Sequence, residues 1–276
     1  MSWVVRWAVL VGLALAMAGA GLSARAHEGH PHAPVTPPWQ NPSAWPDRVV
    51  VTFADDPARP VAVSWRTEAS VTATEAQIAR ATPDARFDLA ATTTAAVTTP
   101  LDLAQVPLAA GFFNIADNAG LAPVAYHSVV FTGLEPDTLY AYRVRGAGNR
   151  WSEWFQVRTA PLSGPVTFLY LGDAQNGILS HWARVVRAAY AAAPEARFIL
   201  HAGDLVDKAS KDYEWAQWFK AVGFIHGMIP AIPVAGNHEY YRIGATAEDT
   251  RRLLSILWRP QFRLPVEPTL PAVLQE

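Results

Sequence analysis

The chain of 276 residues is 51% hydrophobic and 17% charged with a formal net charge of −2. That composition supplies a sizeable core and carries no global basic field, so it excludes a general nucleic-acid or anionic-membrane binder. The chain has no cysteine, which excludes disulfides, thiolate metal sites and a cysteine nucleophile. Its length accommodates one large or two ordinary domains.

Residues 1–26 read as an export signal. Arg6 supplies a weak positive start, Trp7 to Leu22 an Ala/Leu/Gly-rich apolar run, and Ala24–Ala26 ("ARA") a small-x-small cleavage site. The alternative is an uncleaved anchor, for which the run falls short of the roughly 18–20 residues a membrane span needs. Cleavage leaves a chain starting at His27, periplasmic or secreted, without a stable membrane anchor. Residues 27–46 are rich in His and Pro and predict an extended leader that packs little. Its His27, His30 and His32 hold metal only weakly without a fixed geometry.

Residues 47–160 have a β texture. "RVVVTF", "VAVSWRT" and "YHSVVFTGLEPDTLYAYRVRGAGNRWSEWFQVRT" cluster β-branched and aromatic residues between Pro-Asp and Gly-Asn turns. The spacing predicts an all-β sandwich. "GLEPDTLYAYRV" resembles the late strands of a fibronectin type III-like domain, with Tyr140 near the corner tyrosine and Trp65 in the core. Ala73 to Ala119 is Ala/Thr-rich, and its pattern places no strands. His127 is read at the start of a strand.

Residues 161–276 change period. "VTFLYLGDAQ" is an apolar run ending in Gly-Asp. The helix pattern that follows puts Ile178, Trp182, Val185, Val186 and Ala189 on one face, and Pro194 closes it. "RFILHAGDLVD" again ends in Gly-Asp. "DYEWAQWFKAVGFIHGM" reads as a helix with Trp215, Trp218, Phe219 and Val222 on one stripe. "AIPVAGNHE" ends in Gly-Asn-His. This β-α-β-α-β order predicts parallel strands with all polar clusters at their C-terminal ends, the edge where α/β sheets bind ligands.

Asp173, Asp204, Asn237 and His238 therefore gather at one edge, each cluster preceded by a glycine that permits a sharp turn. Gly-Asp alone is an ordinary turn dipeptide, but the ordered set points to a metal site. Hard oxygen donors with a nearby imidazole suit Mn, Fe or Zn, and two such ions can activate a water and clamp a phosphoryl group.

The set resembles the calcineurin-like metallophosphoesterase superfamily. With a β-sandwich in front, it is similar to the purple acid phosphatase group. The resemblance implies a sandwich followed by an α/β metallophosphatase fold, two metal ions of unsettled identity, and a phosphate ester substrate. It also allows a homodimer. Carried over residue by residue, Asp173 is a terminal ligand, Asp204 the bridge and Asn237 a ligand of the second metal. His238 is the acid that protonates the leaving oxygen. The family tyrosine three residues after the bridging Asp is Asp207 here, so no tyrosinate–iron colour is expected.

"GDLVD" with "GNHE" also resembles the serine/threonine phosphatase branch, in which the second Asp orients the imidazole. That assigns Asp207 to His238; the alternative is a cap on the next helix. Asp173-Ala174-Gln175 departs from the family's Asp-x-His, which makes the amide of Gln175 an additional candidate donor. Glu239 is expected to support the site from behind it. His201 is a core or supporting residue, while His181 and His226 are structural or exposed. Tyr240 and Tyr241 line a pocket or simply pack.

The family's later histidines, in Val-x-x-His and Gly-His-x-His, have no counterpart after Glu239. The resemblance thus implies an α/β domain incomplete at its C-terminus, with an open sheet edge, an uncovered apolar face, under-coordinated metals and little catalysis by this chain alone. The competing readings are a catalytically dead truncated pseudoenzyme or binding module, and a sugar- or wall-binding sandwich.

Overall fold

A computed structural model describes residues 38–54, 56–59, 61–102, 118, 121–242 and 252–265. The export signal and residues 27–37 of the leader lie outside the described residues. No helix among those described is long and apolar enough to cross a membrane.

The β-textured region forms β1 (Asp47–Phe53), β2 (Val61–Glu68), β3 (Glu75–Arg80), β4 (Thr92–Ala95), β5 (Val97–Leu101), β6 (Val124–Phe131), β7 (Leu139–Val144) and β8 (Phe155–Arg158). β3, β4 and β5 fill the stretch whose Ala/Thr composition places no strand. His127 lies in the middle of β6, not at its start, buried between the hydroxyls of Thr67 (2.8 Å) and Thr98 (2.9 Å).

The second region adds β9 (Leu169–Leu171), α1 (Ala183–Ala192), β10 (Ile199–His201), α2 (Asp212–Val222), α3 (Ile225–Met228) and β11 (Ala231–Pro233). Beyond them come a small hairpin, β12 (Tyr240–Arg242) with β13 (Arg252–Leu254), and α4 (Trp258–Gln261).

β4-β3-β7-β8 form a four-stranded antiparallel sheet. It packs on a seven-stranded sheet of order β5-β6-β2-β1-β11-β10-β9. The expected β-sandwich is thus present, yet its second sheet does not stop at β1. Thr52 pairs in parallel with Ala231, so the sandwich strands continue into the parallel β11-β10-β9.

Two faces of use explain the nearly continuous burial of β2. Val61, Val63 and Trp65 enter the sandwich core with Phe131, Tyr142 and Phe155. Ala62, Ser64 and Arg66 turn to the other side, toward α2 and the chain after α4. Trp65 is fully buried and its indole N–H donates to the Arg145 carbonyl (3.1 Å). The Tyr140 hydroxyl accepts from the Glu135 N–H (2.9 Å), closing the turn before β7.

Residues 38–46 do not form a loose leader. The Gln40 carbonyl takes a guanidinium N–H of Arg66 (3.2 Å), and the Ala44 carbonyl takes the Ala147 N–H (2.8 Å). A Cβ on Gly146 would stand 2.2 Å from that same carbonyl, so only glycine admits the approach.

The helices cover one face of the parallel strands. Leu169, Ile199 and Ala231 pack under Ile178, Trp182, Val186, Trp215, Trp218 and Phe219. Val185 is exposed, contrary to the sequence pattern. It sits about 100° around the helix from Val186 and falls off the stripe that Ile178, Trp182 and Val186 share. The second helical stretch breaks at Gly223, whose φ of +60° ends α2 before α3 begins. Among the described residues β9 is the edge strand of this sheet, and Phe168 (47%) and Tyr170 (66%) are exposed on the face away from the helices.

Candidate metal centre

The register aligns Leu171, His201 and Pro233 across β9, β10 and β11. The next residues of each strand therefore leave the sheet at the same edge. Asp173, Asp204 and Asn237 lie two to four residues beyond. The loops are tied to each other through the backbone. The Asp173 N–H donates to the Gly203 carbonyl (3.1 Å) and the Gln175 N–H to the Asp204 carbonyl (3.2 Å).

The turns are sharp. Asp173 and Asp204 hold φ of +50° and +52°, the left-handed region that Asp tolerates better than most residues. Such conformations cost free energy and concentrate at functional sites. Gly203 has φ +90°, and a Cβ there would meet Gly236 Cα at 2.8 Å. A Cβ on Gly236 would in turn meet the Asp204 carboxylate at 2.1 Å. The two glycines let the second and third loops touch.

Asp204 sits at the centre. Its Oδ2 accepts from Gln175 Nε2 (3.2 Å) and its Oδ1 from the His238 backbone N–H (3.1 Å). Gln175 Oε1 is buried with no hydrogen-bond partner, an acceptor beside a half-buried carboxylate. An orphaned hard oxygen next to a carboxylate suits a cation, so this donor set fits a hard or borderline metal ion. Asp173 and Asn237 are exposed at the same edge. Among the described residues no group of three or more His, Asp or Glu is gathered to hold a metal. The donors present are two carboxylates and two amides.

His238 is held by Asp207, but not through the carboxylate that the sequence suggests. Its Nδ1 lies 2.7 Å from the Asp207 main-chain carbonyl and 3.5 Å from the Asp207 carboxylate. A carbonyl only accepts, so Nδ1 carries the hydrogen. That hydrogen bond raises the imidazole pKa; partial burial opposes it, and Asp204, Asp207 and Glu239 add to the rise. Asp207 is not the cap of α2, whose cap position is Lys211.

Glu239 is wholly buried behind the site. Its carboxylate accepts the backbone N–H groups of Gly236 (2.8 Å), Asp204 (2.9 Å), Leu205 (2.9 Å) and Val206 (3.4 Å). Burial pushes this carboxyl up, while those N–H groups pull it down. The expected supporting role thus takes a definite form: one carboxylate gathers two loops.

His201 turns the other way. Its Nε2 meets His226 Nε2 at 3.1 Å, among Trp182 and Trp218. Of the two sequence alternatives this is the core one. His226 is buried and His181 exposed. Tyr240 is 38% exposed, and the side chain of Tyr241 lies outside the described residues. Sequence reasoning missed the groups that hold the middle of the Asp204 loop. The Lys208 N–H donates to Glu214 (2.8 Å), and the Ala209 carbonyl accepts from Trp215 Nε1 (3.1 Å) and Ser255 Oγ (2.7 Å). Only the Trp215 indole, on an obvious buried stripe, offered a signal.

Two family models match parts of the chain. The model of the purple acid phosphatase N-terminal domain matches residues 46–159, and that of the calcineurin-like phosphoesterases matches residues 166–267. Over these two segments the chain is similar to the purple acid phosphatase N-terminal domain and to the calcineurin-like phosphoesterases. Among solved structures, it is similar to a purple acid phosphatase from yellow lupin seeds. The identity is 15%, over 71% of this chain and 36% of that one, with a TM-score of 0.57. That likeness shows the fold. The fn3 domain of human contactin 1 is 18% identical over 46% of this chain and 85% of its own, with a TM-score of 0.27. No curated protein matches the chain. The chain spans 36% of the length of the lupin chain.

Proposed function

We propose that this is an exported metal-dependent phosphoesterase with a binuclear centre, of which Asp173, Asp204 and Asn237 are ligands, Gln175 is an additional donor and His238 is the acid. The observation that carries the reading is the convergence on Asp204. Its carboxylate receives both the first loop, through Gln175, and the third, through the His238 N–H, at one edge of three parallel strands. Bound ions of Fe, Mn or Zn would supply Lewis-acid activation of water and neutralise charge on the phosphoryl oxygens.

The chain's own groups do the rest. Glu239 fixes the backbone from which Asp204 projects. The Asp207 carbonyl fixes the tautomer of His238, leaving Nε2 as the atom that gives its proton to the leaving oxygen. The raised imidazole pKa favours the protonated ring that an acid needs. Export is supported by the composition of residues 1–26, and a division into β-sandwich (47–160) and phosphoesterase (161–276) units by the change of period near Ala160. No histidine follows His238 in the chain. Among the described residues the donors are two carboxylates and two amides, a sparse set for two ions.

Calorimetric titration with Mn²⁺, alongside hydrolysis of an aryl phosphate, tests the reading. The expected result is measurable Mn²⁺ binding that Asp204→Asn weakens by about tenfold or more. A folded wild-type chain that neither takes up Mn²⁺ at millimolar concentration nor hydrolyses the ester would favour the pseudoenzyme or binding-module alternative.

A further inference from the structure

The Asp204 loop runs from the end of β10 to the start of α2. Its near end is pinned by Glu239. Its far end is pinned by residues from the β-sandwich, which lie in the other of the two matched regions. Asn118, between β5 and β6, donates Nδ2–H to the Ser210 carbonyl (2.8 Å) and accepts the Asp212 N–H on Oδ1 (2.9 Å). Asp212, first residue of α2, is buried and takes two guanidiniums. Arg48 reaches its two carboxylate oxygens at 2.8 and 2.7 Å, and Arg66 adds a contact at 3.2 Å. Arg66 is shared with Asp47 (2.7 Å), and Arg48 with Gln261 (3.0 Å), so two cations balance two anions.

Arg48 is placed there at a conformational cost. The β1–β2 register slips between Asp47 and Val50, and Arg48 holds φ +51°, unusual for a long side chain. A bulge re-aims a side chain and is found near active sites. A buried ion cluster is a poor source of stability compared with apolar packing, but it tolerates only one geometry. Here the strained residue is spent on fixing where α2 begins, eight residues after Asp204.

We propose that Asn118 and Asp212 are positioning residues: through them the β-sandwich sets the conformation of the loop that carries Asp204 and the Asp207 carbonyl. The functional meaning of this clamp rests on the phosphoesterase reading above. The middle of the loop is held by Glu214 and Trp215 of α2 and by Ser255, so a shift of the start of α2 moves the anchors nearest the Asp207 carbonyl.

Native-state hydrogen exchange on the full chain, for Asn118→Ala and Asp212→Asn, tests the clamp. The expected result is that the amides of Asp204, Leu205 and Val206 exchange about tenfold faster or more, while the amides of β2 and β6 keep their protection. A purely structural loss would lower both sets together. Loop amides that keep wild-type protection, or lose it only in step with β2 and β6, overturn the proposal. Asp212→Asn removes half the anionic charge from two guanidiniums; if it does not fold, Asn118→Ala decides alone. Mn²⁺ titration of the same samples separates the two readings. Selective loop exchange in a chain whose wild type binds no Mn²⁺ supports the clamp and sinks the phosphoesterase reading. Unchanged loop exchange with intact Mn²⁺ binding does the reverse.

Discussion

Replacing Glu239 with alanine lowers the stability of the chain by roughly 3–9 kcal/mol, at about 1–3 kcal/mol for each N–H left without an acceptor. The estimate counts the donors on Gly236, Asp204 and Leu205, at 2.8, 2.9 and 2.9 Å, and leaves aside the long contact to Val206. Glu239 is the element that brings the second and third loops together. Entry of water relieves part of the cost and sets the lower bound. Glu239→Gln keeps one carbonyl oxygen and loses the other acceptor, so its loss should be intermediate. Urea unfolding of the three proteins checks the order. An alanine variant within about 1 kcal/mol of wild type would mean that the loops hold themselves, and that Glu239 merely fills space.

Acidification from pH 7.5 to 4.5 is expected to destabilise the chain steeply through its buried histidines. Burial pushes His201 down to about 3, His127 down to about 4, and His226 well below the ordinary histidine value. A folded pKa below the unfolded one means that the unfolded chain takes the protons first. The stability from keeping these rings neutral is therefore complete above about pH 6.5 and is lost as pH falls toward the folded values. Each such histidine costs about 1.4 kcal/mol per pH unit in that window, so three cost roughly 4 kcal/mol per unit. A domain's whole stability is only about 5–15 kcal/mol.

The orphaned Nδ1 of His226 sharpens the point, since a proton added there finds no acceptor. Two groups work differently. His238, with a raised pKa, contributes stability that is present below the unfolded pKa and lost as pH rises. Asp212 is opposed by burial but held low by Arg48 and Arg66, so its contribution fails only below about pH 4. Thermal midpoints measured across the range should fall steeply below pH 6.5. Replacing His201 and His226 together by leucine should flatten most of that slope. A midpoint that stays level to pH 5 contradicts the argument.

Much of this protein was determined by local sequence. The order of strand and helix from Leu169 to Glu239 was legible because each apolar run ends in glycine and a polar side chain, and each helix carries its own stripe. The burial of Trp182, Trp215, Trp218 and Phe219 follows from those stripes, since large apolar side chains at regular spacing have nowhere else to go. The exit of the Asp173, Asp204 and Asn237 loops at one edge followed from topology: parallel strands joined by helices end there.

Only the tertiary structure decided the rest. The strands between Glu75 and Leu101 were hidden because Ala and Thr give little contrast between faces. Thr52 pairing with Ala231, which makes one sheet of two regions, joins residues far apart and leaves no local trace. His238 meets the Asp207 carbonyl and not its carboxylate because a backbone turn, set by Glu239 and Asn118 from elsewhere, fixes which oxygen faces the ring. Arg48 meets Asp212 across 164 residues because a bulge turns it there, and a bulge is a property of two strands in register, not of either one alone.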